Sequence, residues 1–197
     1  MIIGVLALQG GYSEHMQLLA GLGADTRRVR VPADLEGIDG VVLPGGESTV
    51  MDKLARSLGL AEPLATAIVG GLPVLATCAG LIYLARGVEN PAMGQQTLGV
   101  LDIRVRRNAF GSQRNSFDTS VKIMDPSLEL AEVEASFIRA PVVTEVGEHA
   151  SAFATLSDGS IVGVRQDSIL ALSFHPEVTA DSSLHRRWLE MIEQQVA

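Results

Sequence analysis

Cys78 is the single cysteine in the chain, and the residues around it are typical of a nucleophile. The apolar run Pro73–Thr77 predicts a strand that leads to Cys78, and the small residues Ala79 and Gly80 follow, before a helix predicted over Leu81–Arg86. A sharp turn between a strand and a helix needs small neighbours and holds a nucleophile clear of the sheet. Amide groups at the start of a helix lower the pKa of a nearby thiol, which increases the reactive thiolate. A buried structural cysteine fits the same pattern, so the other residues must decide.

His175 and Glu177 are candidates for the base that a cysteine nucleophile needs. Such a base takes the thiol proton and gives it to the leaving group, while a third group fixes the tautomer of the imidazole. A strand predicted over Ile169–Ser173 places His175 at a strand end, and Pro176 restrains Glu177 beside it. We therefore interpret Cys78, His175 and Glu177 as a candidate catalytic triad. The alternative is a strand end with two solvated polar side chains.

A glycine-rich turn follows another predicted strand within Val41–Thr49. Its glycines allow backbone N–H groups to face a ligand. In acyl transfer, the N–H of Gly46 and that of Ala79, the residue after Cys78, would form an oxyanion hole worth about 3 kcal/mol per donor. A tight turn in which Ser48 caps a helix fits the same residues, and the two interpretations are compatible.

Length and composition predict one folded domain over residues 1–197. The chain is 47% hydrophobic and long enough to bury about 70% of its unfolded surface without disulfides. The single cysteine, the lack of a secretory leader and the lack of a long apolar run predict a cytoplasmic protein. The formal net charge of −8 disfavours nucleic acid and anionic membranes as partners, because both need clustered positive charge.

Neither a metal nor another cofactor is expected. The four histidines show no metal-ligand spacing with each other or with Cys78. No glycine motif of the phosphate-binding kind precedes a helix. His15 is expected to be solvated on the surface of the first helix, and Arg104 and Arg106 to lie on the solvated face of a strand.

The first half of the chain alternates apolar strands with helices. Strands are predicted over Ile2–Leu8, Thr26–Val31, Asp39–Leu43 and Pro73–Thr77, and helices over Tyr12–Leu22, Ser48–Leu58 and Glu62–Val69. This alternation predicts a parallel sheet covered by helices on both faces. Ligands of such sheets bind beyond the carboxyl ends of the strands. The loops after the first, third and fourth strands are therefore candidates for the site.

The second half predicts an antiparallel extension. Short strands are predicted over Leu98–Val105, Ser116–Ile123, Val142–Val146, Ala152–Leu156, Ile161–Arg165 and Ile169–Ser173. An amphipathic helix over Asp181–Val196 ends the chain. The predicted fold class is α/β, with three layers and a mostly parallel sheet flanked by helices.

These features together resemble the class I, triad-type glutamine amidotransferases, and more closely the glutaminase subunits of pyridoxal 5'-phosphate synthase. The resemblance rests on Leu6–Gly10, Pro44–Thr49, Thr77–Leu81, Arg107–Gly111, Phe137–Pro141 and Ser173–Glu177. Arg107–Gly111 (RNAFG) and Phe137–Pro141 (FIRAP) narrow it from the broad class to this subunit. Ala76 departs from the pattern, because the family usually has glycine two residues before the nucleophile. The resemblance implies a flavodoxin-like fold.

The resemblance also implies a role for each matching residue. Cys78 would be the nucleophile, His175 the general base and acid, and Glu177 the residue that orients His175. The residues implied in glutamine binding are Gly46, Glu47, Ser48, Arg107, Ile138 and Arg139. An α-carboxylate calls for an arginine, and an α-ammonium for a carboxylate or carbonyl groups. Which side chain meets which group stays open from the sequence.

By resemblance, the chain would hydrolyse L-glutamine to L-glutamate and ammonia. The implied partner is a synthase subunit that builds pyridoxal 5'-phosphate from a pentose phosphate, a triose phosphate and this ammonia. The family's glutaminases decorate a ring of synthase subunits and are activated by docking, which predicts weak activity for the isolated chain.

Several alternatives remain at this point. A glutaminase serving another acceptor synthase and a γ-glutamyl hydrolase would use the same triad, although the RNAFG and FIRAP segments argue against both. A scaffold subunit without activity would have no need of all three triad residues. A cysteine hydrolase or redox sensor would not require a His-Pro-Glu segment after the last strand.

Overall fold

The structure is a computed structural model that describes residues 1–110 and 116–196. Within these ranges the chain forms twelve strands and five α-helices. The strands are β1 (Ile2–Leu6), β2 (Asp25–Val29), β3 (Gly40–Leu43), β4 (Val74–Thr77), β5 (Ala85–Val88), β6 (Leu101–Arg106), β7 (Phe117–Ile123), β8 (Glu132–Phe137), β9 (Val142–Val146), β10 (Ser151–Thr155), β11 (Ile161–Gln166) and β12 (Ile169–Leu172). The helices are α1 (Tyr12–Gly21), α2 (Ser48–Ser57), α3 (Ala61–Val69), α4 (Ala79–Leu84) and α5 (Ser183–Val196).

Five parallel strands form the part of the sheet that carries the site. Their spatial order is β2-β1-β3-β4-β12, and every neighbouring pair is parallel. Every residue of β3, β4 and β12 is buried. Such continuous burial is expected of parallel strands that are covered on both faces, and it explains their apolar sequences.

Two apolar cores lie on opposite faces of this sheet. One contains Leu43 of β3 with Met51 and other residues of α2, α3 and α4. The other contains Val42 of β3 with Leu19 of α1 and Trp188 of α5. Adjacent strand residues point to opposite faces, so β3 contributes to both cores. The result is the three-layer arrangement that the sequence predicts.

The rest of the sheet is antiparallel except for the parallel pair of β5 and β6. From β12 the order continues through β11, β10, β7 and β8, all antiparallel, and β9 joins β11 to β6. All six strands predicted in this half are present, with ends shifted by up to three residues. β5 and β8 are additions to the predicted strands. β8 alternates exposed and buried residues at its start, as an edge strand paired with β7 does.

α4 differs from the helix predicted over Leu81–Arg86. It begins at Ala79 and ends at Leu84, where the chain enters β5 and pairs in parallel with β6. Every residue of α4 is buried. Periodicity cannot separate a short buried helix from a buried strand, because both are apolar throughout. Pairing with β6, which is distant in sequence, therefore decides where the helix ends.

The other helices end within two residues of the predicted positions. α5 begins at Ser183 rather than at Asp181, whose carboxylate accepts a hydrogen bond from the Ser183 N–H at 2.8 Å. None of the helices in the two described ranges has the length and apolarity that crossing a membrane requires.

Candidate active site

The loops after four parallel strands meet around one cavity. β1 is followed by Gln9–Gly11, β3 by Gly45–Glu47, β4 by Cys78 and β12 by His175. The cavity has a volume of about 290 Å³, at the lower end of the range of ligand pockets, which is about 300–1,000 Å³. Its wall contains the three triad candidates and all the predicted glutamine-binding residues: Cys78, His175, Glu177, Gly46, Glu47, Ser48, Arg107, Ile138 and Arg139.

Cys78 occupies the sharp turn between β4 and α4. Its backbone angles, φ 46° and ψ −100°, lie in a region that residues other than glycine rarely adopt. The Cys78 N–H donates to the carbonyl of Leu172 in β12 at 2.8 Å, which ties the turn to the neighbouring strand. A Cβ atom on Gly80 would lie 2.1 Å from the carbonyl oxygen of Leu43, so this turn requires glycine there. Cys78 is 6% exposed, and its Sγ lies 4.0 Å from the carbonyl oxygen of Ile138.

His175 and Glu177 contact each other in the turn after β12. His175 Nδ1 lies 2.7 Å from Glu177 Oε1, and the His175 N–H donates to the carbonyl of Ser136 in β8 at 2.8 Å. The imidazole also lies against Gly45, where a Cβ atom would stand 2.2 Å from its Cε1. Glu177 is 8% exposed. The two side chains therefore form a hydrogen-bonded pair of a buried carboxylate and a mostly buried imidazole rather than a solvated strand end.

The surroundings of this pair favour a charged imidazolium and a charged carboxylate. Burial opposes the protonation of His175, but the hydrogen bonds that His175 donates to Cys78 and Glu177, and the charges of these two groups, outweigh burial and raise the pKa of His175 to about 10. Burial likewise opposes ionisation of Glu177, but hydrogen bonds from His15 and His175 outweigh it and hold the pKa of Glu177 far below the usual carboxyl range. Because Nδ1 of His175 is bonded to Glu177, Nε2 is the nitrogen available to the thiol of Cys78.

Arg107 is held in the cavity wall by side chains from two segments, the turn after β3 and the segment between β5 and β6. Its Nη2 lies 3.2 Å from Glu47 Oε1, and its Nη1 donates to Gln95 Oε1 at 3.0 Å. Gln95 Nε2 in turn donates to the hydroxyl of Ser48 at 2.8 Å. The side chain of Asn90 bonds the backbone N–H and C=O of Arg107 at 2.8 and 3.2 Å. The segment between β5 and β6 thus links the two wall residues Ser48 and Arg107.

Glu47, not Ser48, is the N-cap of α2. Glu47 Oε1 accepts a hydrogen bond from the Thr49 N–H at 3.2 Å, and Ser48 is the first residue of the helix. Gln9 fixes the backbone of Glu47, since Gln9 Oε1 accepts from its N–H at 3.0 Å and Gln9 Nε2 donates to its C=O at 3.2 Å. The predicted Ser48 cap is therefore wrong, and the Ser48 hydroxyl bonds Gln95 instead.

The two predicted oxyanion donors lie on different loops. Gly46 lines the cavity. Ala79 is buried and is the first residue of α4, so its N–H has no acceptor within the helix. Ile138 and Arg139 follow β8, and Arg139 has a φ of 48°. The last residue of the RNAFG segment, at position 111, lies outside the described residues.

His15 contradicts the prediction that it is a solvated histidine. It is 0% exposed. Its Nε2 lies 3.2 Å from Thr77 Oγ1 and 3.4 Å from Glu177 Oε2, and its Nδ1 lies 3.0 Å from Nε2 of His185. His185 is 170 residues away in sequence, so no local pattern could reveal this pair.

Gln95 and Asn90 are also absent from the predicted site. Both lie in the segment between β5 and β6, which carries no periodic pattern that would mark it as part of a site. Their position becomes visible only where this segment packs beside Arg107. Arg104, in contrast, lies in β6 as predicted and pairs with Glu145 at 3.4 Å on the exposed side of the strand.

The fold matches that of a solved glutamine amidotransferase. A crystal structure described as a glutamine amidotransferase has a TM-score of 0.89 to this chain at 42% sequence identity. The match covers 98% of this chain and 100% of the other. The α/β fold class predicted from the sequence, with parallel strands and an antiparallel extension, is confirmed.

Sequence relatives then narrow the class to a family. The chain is 61% identical over 192 residues to the pyridoxal 5'-phosphate synthase subunit PdxT of Corynebacterium glutamicum (strain R), which covers 98% of this chain and 96% of the relative. It is 56% identical over 201 residues to the subunit of the same name in Cutibacterium acnes, and this match covers 99% of this chain and 98% of the relative. Residues 5–194 match the model of the SNO glutamine amidotransferase family. The chain belongs to this family, and the resemblance seen in its motifs is confirmed.

Proposed function

We propose that this protein is a glutaminase that hydrolyses L-glutamine to L-glutamate and ammonia. The observation that carries the proposal is that Cys78 and the hydrogen-bonded pair of His175 and Glu177 line one cavity with Arg107 and Glu47. A nucleophile, a base and a group that orients the base are thereby combined with the two charges that the α-groups of an amino acid require.

In the first half of the reaction, the proton of the Cys78 thiol already lies on Nε2 of His175, as the imidazolium that the site favours requires. The thiolate attacks the side-chain amide carbon of glutamine, and a C–S bond forms as the carbonyl π bond opens to an oxyanion. The intermediate then collapses, the C–N bond breaks, and His175 delivers its proton to the departing nitrogen. Ammonia leaves, and a γ-glutamyl thioester remains on Cys78. Glu177 stabilises the imidazolium throughout and keeps its Nδ1 protonated.

In the second half of the reaction, water hydrolyses the γ-glutamyl thioester. His175 takes a proton from the water, whose oxygen attacks the thioester carbonyl. The C–S bond breaks, glutamate is released, and the proton stays on His175 beside the thiolate of Cys78. We assign the N–H groups of Gly46 and Ala79 to the oxyanion in both halves, at about 3 kcal/mol per donor.

For the substrate's α-groups, we assign the carboxylate of glutamine to the guanidinium of Arg107 and its ammonium to the carboxylate of Glu47. The ion pair between these side chains is 48% exposed on the Glu47 side. Exposed pairs contribute only about 0–1 kcal/mol, so a zwitterionic substrate can replace this contact with two of its own. The loop of Ile138 and Arg139 and the hydroxyl of Ser48 complete the wall around it.

The ammonia is proposed to serve a partner enzyme. Free ammonia is largely protonated at neutral pH and then no longer nucleophilic, so it is useful only when it passes directly to a second active site. The relatives in Corynebacterium glutamicum and Cutibacterium acnes bear the name of a pyridoxal 5'-phosphate synthase subunit. We infer that this chain delivers its ammonia to a synthase subunit that makes pyridoxal 5'-phosphate, within a hetero-oligomeric complex.

We further infer that residues 1–197 act as one glutaminase domain in the cytoplasm. The sheet passes without a break from the strands that carry Cys78 and His175 into the antiparallel extension, which supports a single domain. A nucleophilic thiol must stay reduced, which suits a compartment that keeps thiols reduced.

The test is glutamate release from glutamine by the purified chain, alone and with a pyridoxal 5'-phosphate synthase subunit, with Cys78→Ala as the blank. We expect slow release by the chain alone, strong stimulation by the synthase, and none in the variant. Equal glutamate release with and without the synthase would contradict the inference that the synthase subunit is the partner of this chain. Release that survives in Cys78→Ala would contradict the mechanism.

A further inference from the structure

A buried polar network lies behind the triad and is not used by any step of the reaction above. His15 of α1 and His185 of α5 are both fully buried, and Thr77 of β4 is buried beside them. Their polar atoms connect to Glu177 through His15 Nε2. Burying a polar group costs folding free energy unless the group is hydrogen-bonded. Apolar residues would fill this core at a lower cost in free energy than two histidines, so packing alone does not explain them.

The hydrogen-bonding chemistry fixes where the protons lie. Glu177 is a carboxylate and only accepts, its Oε1 is occupied by His175, and its Oε2 faces His15 Nε2 at 3.4 Å. His15 Nε2 must therefore carry the proton, which it shares between Glu177 and the Thr77 hydroxyl at 3.2 Å. The 3.4 Å separation is an ion-pair distance and is long for a hydrogen bond, so His15 Nε2 holds this oxygen mainly by electrostatic attraction.

The second histidine completes this assignment. In the tautomer of His15 that carries its one proton on Nε2, Nδ1 is an acceptor, and the contact of 3.0 Å is then donated by Nε2 of His185. Nδ1 of His185 is then the unprotonated nitrogen, and it has no hydrogen-bond partner among the described residues. Burial above all lowers the pKa of His185 to about 3, so His185 stays neutral and keeps this single donor.

We propose that His15 is a positioning residue for the triad: its Nε2–H holds the second oxygen of Glu177, so that the first oxygen stays on His175, and His185 fixes the tautomer of His15 that can donate. This inference rests on the proposed glutaminase function. Among the described residues, Glu177 Oε2 has no hydrogen-bond partner closer than the His15 Nε2 that lies 3.4 Å away, so without His15 the carboxylate could rotate away from His175.

The network contacts the triad at two points. His15 reaches Glu177 directly and reaches Cys78 through Thr77, the preceding residue in the chain. The titratable groups that face it are His175 and Cys78 from the triad, Asp181 near His185, and Glu14 beside the cavity. Because Glu177 supports the His175 imidazolium and the imidazolium supports the thiolate, we expect a change at His15 to appear in the reactivity of the Cys78 sulfur.

The experiment uses the one cysteine of the full chain as its reporter. The rate of alkylation by iodoacetamide is measured from pH 5 to 10 for the wild type, His15→Leu, His15→Gln and His149→Leu. His149 is an exposed histidine outside the cavity and serves as the matched control. We expect the profile of His15→Leu to move to higher pH, because the thiolate loses support. His15→Gln keeps an N–H donor, so its profile should lie close to that of the wild type. His149→Leu should leave the profile unchanged.

Glutamine turnover with the synthase is measured on the same proteins. We expect kcat/KM of His15→Leu to fall by about 10- to 100-fold, the range found when the outer hydrogen-bond partners of metal-ligating side chains are removed. We also expect the acidic limb of its pH profile to move to higher pH. An unshifted alkylation profile in His15→Leu, with only a lower folded fraction by circular dichroism, would overturn the positioning role. Failure of the proposed function is a separate outcome, since it would appear as a wild type with no turnover.

Discussion

At the scale of single residues, Glu177 decides the electrostatics of the site. Its carboxylate lies between two imidazoles, with Oε1 at 2.7 Å from His175 Nδ1 and Oε2 at 3.4 Å from His15 Nε2. A buried carboxylate without donors would take up a proton and could no longer stabilise an imidazolium. The two histidines keep it ionised, so the base that would serve Cys78 depends on groups on both sides of Glu177.

The same carboxylate makes the stability of the fold depend on pH. Since the folded pKa of Glu177 lies below its ordinary value of 4.5, ionisation stabilises the fold above about pH 4.5, and this contribution is lost as the pH falls below that value. The loss amounts to at most about 1.4 kcal/mol per pH unit. In urea unfolding from pH 3 to 6.5, below the pH at which the raised pKa of His175 begins to change stability, we expect the difference in unfolding free energy between wild type and Glu177→Gln to be constant above pH 5 and to shrink below it.

The control for this pH dependence is Glu148→Gln, at an exposed glutamate far from the triad in sequence. Its difference from wild type should stay flat across the whole range. A difference for Glu177→Gln that is equally flat would show that the carboxylate gains no stability from its two histidines.

At the scale of secondary-structure elements, the turn after β3 sets the position of the catalytic base. The turn and the imidazole of His175 come from strands separated by β4 in the sheet, yet they are in contact. The contact leaves no room for a side chain at position 45. The glycine-rich sequence after β3 therefore serves two purposes, since it offers backbone N–H groups to the cavity and admits the imidazole.

Gly45→Ala should reduce activity while the protein still folds. The new Cβ would stand 2.2 Å from His175 Cε1, so either the ring or the turn must move. Displacing a reacting group by about 1 Å costs about 100-fold in rate, and overpacking costs about 1–3 kcal/mol in stability. We expect about a 100-fold fall in glutamine turnover, measured with the synthase present, with a circular dichroism spectrum like that of the wild type.

Gly21→Ala is the matched control, because a Cβ at Gly21 would meet no atom within 4 Å. Gly21 is the last residue of α1, where alanine is the better helix former, so this variant should be as active as the wild type and slightly more stable. Normal turnover in Gly45→Ala would mean that the turn adjusts freely and does not fix His175.

The secondary-structure elements also explain which residues of the site can be predicted from the sequence and which cannot. Cys78, His175 and the turn around Gly46 each follow a buried apolar strand, and the rule that parallel strands end at one edge brings them together. The network of His15 and His185, and the link from Gln95 to Arg107, depend on contacts between segments far apart in sequence. A polar residue on a helix looks solvated until the element that covers it is known, which is why the prediction for His15 is wrong.

At the scale of the whole molecule, the two apolar cores share one sheet. β3 and β4 contribute alternate residues to both cores. Loss of either core would therefore expose one face of the strands on which the other core is built. α5 closes the second core, with Trp188 packed on β3 so closely that a Cβ at Gly40 would lie 3.2 Å from its ring. The parallel and antiparallel parts are joined by the pairing of β12 with β11.

This arrangement predicts that the chain unfolds as one cooperative unit. Trp188 is the single tryptophan of the sequence and is buried, so its fluorescence reports on the core closed by α5. Far-UV circular dichroism reports on the strands and helices of the whole chain. In urea at pH 7, the two signals should give one transition with the same midpoint, as expected for a single domain. Two separate midpoints would instead show that the antiparallel extension unfolds independently. The loop of Ile138 and Arg139 would then be carried by a unit other than the one that holds Cys78, and the proposed active site would lie between two domains rather than within one.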